Sequence, residues 1–178
     1  MITYTFNFSM LKKIILKTFL LLILCESVAA QEIQGTFADW SVFTAKSGKQ
    51  KICYAMSMPI KSAGNYYDRG QPYFLVVRSS DNVEEITVSS GYNYKESSEV
   101  YLSFGLKKFN IFTYKNLAWA NDKNDDIDIV KAMRENLGVV VLGTNSQKKN
   151  SQDTYSLIGL GKALIKMKDI CGEKLAKQ

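Results

Sequence analysis

Catalysis and metal binding need side chains that can attack, ligate or move protons, and this sequence is poor in them. Its 178 residues include no histidine and three cysteines. Without histidine, a Ser-His-Asp triad and every imidazole metal site are excluded. The cysteines, Cys25, Cys53 and Cys171, form no Cys-x-x-Cys pair of the kind that supports dithiol redox work. A serine–lysine or two-carboxylate hydrolase stays formally open, but no serine stands out by its spacing and nothing shows which carboxylates meet. The chain is therefore read as non-enzymatic, with no cofactor and no metal.

Three local patterns are worth weighing. Asp122-Lys123-Asn124-Asp125-Asp126-Ile127-Asp128 alternates oxygen ligands as a calcium loop does. Ile127, however, stands where the sharp turn needs glycine, and Met133 where a bidentate glutamate belongs. Carboxylates at the start of a helix account for the same residues. Gly159-Leu160-Gly161-Lys162 would suit a phosphate cradle between strand and helix. No serine or threonine follows Lys162, and Leu164 occupies the third dinucleotide glycine, so two glycines easing a corner is the simpler account. Tyr66, Tyr67, Asp68 and Arg69 form the candidate partner-binding loop, because aromatic residues and arginine are favoured at interfaces. The competing reading is a loop folded onto its own domain.

The elements that must position these groups are mostly strands. Asp39 to Ala45 and Lys51 to Met58 read as strands joined through Ser47-Gly48-Lys49. Pro59 through Gly70 reads as a long loop, and Pro72 to Arg78 as a central strand. Further strands are expected over Glu84 to Ser90, Glu99 to Phe104, Lys108 to Thr113, Leu117 to Ala120, Val139 to Leu142 and Asp153 to Ile158. Ile127, Val130 and Met133 recur at helical spacing within Asn121 to Asn136, with Asn124 able to cap. Leu160, Ala163, Leu164, Met167 and Cys171 define one face of a terminal helix. About eight strands at close intervals point to a mainly β fold: an antiparallel β-sandwich, immunoglobulin-like, with an inserted helix and a C-terminal helix.

Residues 1–30 look like an export signal. Lys12 and Lys13 precede the apolar run Ile14 to Leu24, and Val28 and Ala30 suit a signal peptidase. Met10 offers an alternative start. The run is too short for a transmembrane anchor, which needs ~20 apolar residues, and the bulky Ile23 and Leu24 argue against lipid attachment at Cys25. Cleavage after Ala30 leaves residues 31–178 as one domain, within the usual ~50–250 residues. It removes three lysines and one glutamate, so the net charge falls from +6 to +4. That favours solubility and weak attraction to anionic surfaces over nucleic-acid binding. The expected location is periplasmic or secreted, and the expected partner an unknown protein or a component of the envelope or a host surface.

Export leaves Cys53 and Cys171 as an even pair, which reads as one structural disulfide. Two buried thiols are the alternative.

Ala38-Asp39-Trp40-Ser41-Val42, Lys51-Ile52-Cys53-Tyr54-Ala55-Met56-Ser57, Pro72-Tyr73-Phe74-Leu75-Val76, Lys107-Lys108-Phe109-Asn110-Ile111-Phe112, Ala118-Trp119-Ala120 and Asp153-Thr154-Tyr155-Ser156-Leu157-Ile158-Gly159-Leu160, closed by Cys171, together resemble the invasion-associated locus B family. The resemblance runs from about Trp40 to Cys171. It implies a small exported alphaproteobacterial protein with a β-sandwich domain, paired cysteines at Cys53 and Cys171, and no catalytic residue or cofactor to carry over. The family name reflects a role in host-cell invasion; a periplasmic envelope-maintenance role is the alternative.

Overall fold

Period-two alternation of buried and exposed residues runs through most of the described strands, and the architecture follows from it. The computed structural model describes residues 31–47, 50–66, 68–78 and 83–172. The expected export signal, including Met10 and Cys25, lies outside the described residues, as does Tyr67. The strands are β1 (Glu32–Phe37), β2 (Trp40–Ser47), β3 (Gln50–Ser57), β4 (Lys61–Gly64), β5 (Tyr73–Arg78), β6 (Glu84–Ser89), β7 (Glu99–Phe104), β8 (Lys107–Tyr114), β9 (Leu117–Trp119), β10 (Gly138–Thr144) and β11 (Asn150–Ser156). The helices are α1 (Lys123–Glu135), inserted before β10, and α2 (Leu160–Cys171), at the end.

All strand pairs are antiparallel, in the order β1-β2-β3-β5-β6-β9-β8-β7-β10-β11-β4. The sheet curls so that its halves face each other. Trp40 of β2 donates its indole N–H to the Ser156 carbonyl of β11 at 3.0 Å. Phe74 of β5 packs edge-on against Tyr155 of β11 with ring centroids 5.7 Å apart. The result is the expected sandwich-like β fold, with one refinement: the layers belong to one continuous sheet. The short β9 is the bridge, pairing with β6 at Thr87 and Val88 and with β8 from Phe112 to Tyr114.

Two strands were not expected. β4 lies inside the segment read as a loop, and its four residues are all exposed. β1 carries few apolar residues and alternates weakly. Both are edge strands, where neither face must be buried and the periodic signal fades.

The core gathers inward residues of both halves with Ile129 and Met133 of α1 and Leu164 and Met167 of α2. α1 is capped by Asp122, not Asn124: its carboxylate accepts from the backbone N–H of Asn124 and of Asp125, at 2.8 and 3.0 Å. Aspartate accepts at this position without competing donors, which makes it a strong cap. α2 starts at Gly159, whose φ of +94° suits glycine and whose Cα approaches the Phe37 carbonyl so closely that a Cβ would collide with it. Cys53, fully buried on β3, is disulfide-bonded to Cys171 at the end of α2, with Cα atoms 6.2 Å apart. Among the described residues, no helix is long and apolar enough to cross a membrane.

Candidate functional site

Alternation along β11 turns Ser151, Asp153 and Tyr155 inward. A carboxylate buried at this depth is tolerable only with a charged, well-aligned partner. Arg69 supplies it from the loop between β4 and β5. Its guanidinium makes a two-point contact, Nη1 to Oδ2 at 2.7 Å and Nη2 to Oδ1 at 2.6 Å. Asp153 is 0 % exposed and Arg69 8 %. Nη1 also donates to the Ser90 carbonyl at 3.1 Å, Ser62 donates to Asp153 Oδ1 at 2.7 Å, and the Tyr66 ring lies 4.0 Å from the guanidinium carbon. Burial acts to lower the Arg69 pKa, but the hydrogen bond and charge of Asp153 more than offset it and leave it raised.

Tyrosines and serines extend this cluster. Tyr92 shares a hydrogen bond of 2.6 Å with Ser151, and Tyr94 donates to Ser90 Oγ at 2.9 Å while accepting from the Ser90 backbone N–H at 3.0 Å. Tyr155 is fully buried beside them, and its hydroxyl has no hydrogen-bond partner among the described residues. Burial pushes the pKa of all three tyrosines upward, so each stays protonated at neutral pH. A carboxylate saturated by arginine and serine, ringed by neutral phenols, is suited to holding the β4–β5 loop in place. The seat is tight: Gly70 donates to the Gly91 carbonyl at 2.7 Å, and Gly91, at φ +78°, leaves no room there for a Cβ.

The candidate loop is thus divided. Arg69 points inward, Tyr66 lies half-buried over it, and Asp68 is exposed with φ of +49°. Sequence reasoning did not single out Asp153. Its signal was a charged residue at an inward position of a strand, two before the buried Tyr155.

The acidic cluster at α1 does local work. Besides the Asp122 cap, Asp126 accepts the Ile86 backbone N–H at 2.8 Å and so ties the helix to β6. Burial pushes its pKa up to about 6, against the favourable effect of that N–H; Glu85, Asp125 and Asp122 push the same way as burial. Among the described residues, no group of three or more cysteines and carboxylates is placed to hold a metal ion. A shallow groove of about 390 Å³ runs between β6 and α1, lined by Val83, Glu84, Ile127, Val130, Lys131 and Arg134. Glu84 is held there by Arg134 at 2.9 Å.

The outer face of the sheet lies apart from this cluster. Strand register aligns Met56, Leu75, Thr87, Trp119 and Phe112 across β3, β5, β6, β9 and β8. A parallel row holds Ile33, Phe43, Tyr54 and Val77. Phe43 stacks on Tyr54 at 5.3 Å, and Phe112 leans on Trp119 at 5.5 Å. Phe112, Tyr114 and Tyr101 remain exposed, because both helices bury their apolar faces in the inner core. Only Phe112 of the first row and Ile33 of the second are exposed, the remaining residues of both rows being half-buried.

The model of the family described as "Invasion associated locus B (IalB) protein" matches residues 40–168. Among solved structures, the chain is similar to the crystal structure of invasion associated protein b from Bartonella henselae. The TM-score is 0.54 at 20% sequence identity, with 82% of this chain and 100% of that chain covered. At that identity the likeness concerns the fold. No curated protein sequence matches.

Proposed function

The chain belongs to the invasion associated locus B family, and from that premise we propose that it is an exported, non-catalytic protein that acts by binding a protein partner in the envelope or on a host surface. The observation that carries this reading is the outer face of the sheet, where Met56, Leu75, Trp119, Phe112 and Tyr101 form an apolar, aromatic surface rimmed by Glu85 and Glu99. Aromatic residues and methionine are the types enriched at protein interfaces. The polar cluster supports the non-catalytic part: Arg69 and Asp153 are committed to each other, and the surrounding phenols hold their protons. The Cys53–Cys171 bond supports export, since such bonds persist in oxidising compartments. The similar Bartonella henselae protein is described as invasion associated, and the proposed role extends to host contact on that likeness.

Photo-crosslinkers placed singly at Phe112, Tyr101 and Lys148 in the full-length protein, expressed in its own cells, test this. Adducts at Phe112 and Tyr101, competed by excess wild-type protein but not by a Phe112→Asp/Tyr101→Asp variant, are expected. Adducts equally strong at Lys148, or none at the outer face in either periplasm or medium, would overturn it.

A further inference from the structure

The two ends of the second half of the sheet differ in character. At one end the connections are polar and tied together. Lys115 and Asn116 join β8 to β9, and residues 145–149 join β10 to β11. Tyr94 N–H donates to the Lys115 carbonyl, Lys95 N–H to Thr144, and Ser146 N–H to Asn93, at 2.8 to 2.9 Å.

The other end is aliphatic and projecting. The β7–β8 hairpin closes through Gly105, at φ +66°, and Leu106, which is 103% exposed. Such two-residue turns need glycine for its backbone freedom but place no demand for an apolar residue beside it. On β10, Val141 faces Leu102 and Val140 faces Ser103, so Leu137, 81% exposed, precedes β10 at the same end of the sheet at which Leu106 follows β7. The Leu157 N–H donates to the Leu137 carbonyl at 2.9 Å, so Ile158, 55% exposed, follows at the same end. Three neighbouring chain connections therefore each present an aliphatic side chain to solvent, which no core packing requires.

Charge surrounds them. Lys107 and Lys108 directly follow Leu106, and Lys162 is exposed in the first turn of α2. Glu135 and Asp39 stand on the flank. Apolar tips flanked by lysines whose ammonium groups can reach headgroups while their stems lie along apolar surface are the chemistry of an interfacial membrane contact.

We propose that the Leu106–Leu137–Ile158 end docks on an anionic phospholipid surface, with the aliphatic tips in the acyl boundary and Lys107 and Lys108 among the phosphates. Binding is weak and reversible, because three such side chains insert less hydrocarbon than a single acyl chain, which itself anchors only marginally. The contact stands on this end of the molecule and does not depend on the outer face described above.

The test is flotation of the purified chain from residue 31 with phosphatidylcholine vesicles, with and without phosphatidylglycerol, at low and high salt. The expected result is binding to the anionic vesicles only, weakened by salt. Leu106→Asp with Leu137→Asp reduces affinity at least about tenfold, and Lys107→Gln with Lys108→Gln reduces it by about fivefold per lysine. Phe112→Asp with Tyr101→Asp leaves flotation unchanged, so failure of the outer-face reading is read separately. All these positions are exposed, and matching thermal melts confirm that the variants fold. The proposal is overturned by absence of wild-type binding, or by leucine variants that bind as well as wild type. Loss of binding in Lys148→Glu with Lys149→Glu but not in the leucine variants would reduce it to charge attraction at the wrong end. A lipid-free dimer abolished by Leu106→Asp would assign the tip to self-association instead.

Discussion

Arg69 and Asp153, 84 residues apart in sequence, meet in a two-point ion pair almost sealed from solvent. The pair joins the β4–β5 loop to the inner face of β11, and Ser62, donating to the same carboxylate, draws β4 into the arrangement. Removing one partner leaves the other buried and uncompensated. Asp153→Leu or Arg69→Met should each cost about 3–5 kcal/mol. The double variant Arg69→Met/Asp153→Leu should cost less than the sum, as contacting residues do in a double-mutant cycle. Urea unfolding at neutral pH measures all three; additive losses would show that the pair does not act as a unit.

The disulfide joins residues separated by 118 positions. Replacing both cysteines by serine should lower stability by about 2–5 kcal/mol, read as a fall in melting temperature. Reductant should move the wild type in the same direction and leave the double variant unchanged. A wild type indifferent to reductant would mean that packing of Leu164 and Met167 alone secures α2.

Asp126 sets a pH dependence. Its folded pKa, about 6, lies above the ordinary carboxylate value because of burial, so folding favours the protonated form. That contribution is complete below about pH 4 and is lost as pH rises through about 6. Asp126→Asn keeps an oxygen for the Ile86 N–H and removes the titration. Urea midpoints taken from pH 4 to 7 should therefore fall for the wild type relative to this variant. Parallel curves would assign the pH dependence to other groups.

Two glycines three positions or fewer from the start of α2 should respond in opposite ways. Gly159→Ala forces a left-handed backbone on alanine and drives its Cβ into the Phe37 carbonyl, at a cost of at least ~1–3 kcal/mol. Gly161 faces open space, and Gly161→Ala should be neutral or stabilise by up to about 1 kcal/mol. Thermal melts of the two variants suffice.

The β character, both helices and most strand positions were legible because one buried face imposes a period on the sequence. β10 was legible from the β-branched run that begins at Val139, and β11 was expected as the last strand over Asp153 to Ile158; the inward turn of alternate residues in each is visible only in the structure. β4 was not legible, since Lys61, Ser62, Ala63 and Gly64 bury nothing, and its pairing with β11 depends on a partner some ninety residues away. The role of Arg69 was hidden for a related reason. An arginine beside a tyrosine in a polar loop looks the same in sequence whether it faces a partner or an internal carboxylate. Only the position of Asp153 decides, and that is a property of the fold. The cap on α1 moved from Asn124 to Asp122 because helix boundaries are the least determined feature of a periodic pattern.

The placement of β4 has a consequence for the order in which the fold can be completed. A strand encoded early in the chain is stored at the far edge beside the last strand. Trp40, Cys53, Ser62 and Arg69 all take their partners from residues 153–171. A ribosome must therefore release nearly the entire polypeptide before any of these four closures can form. Strands β1, β2, β3, β5 and β6 can pair among themselves as they emerge, but that half-sheet stays unsealed until the tail has arrived.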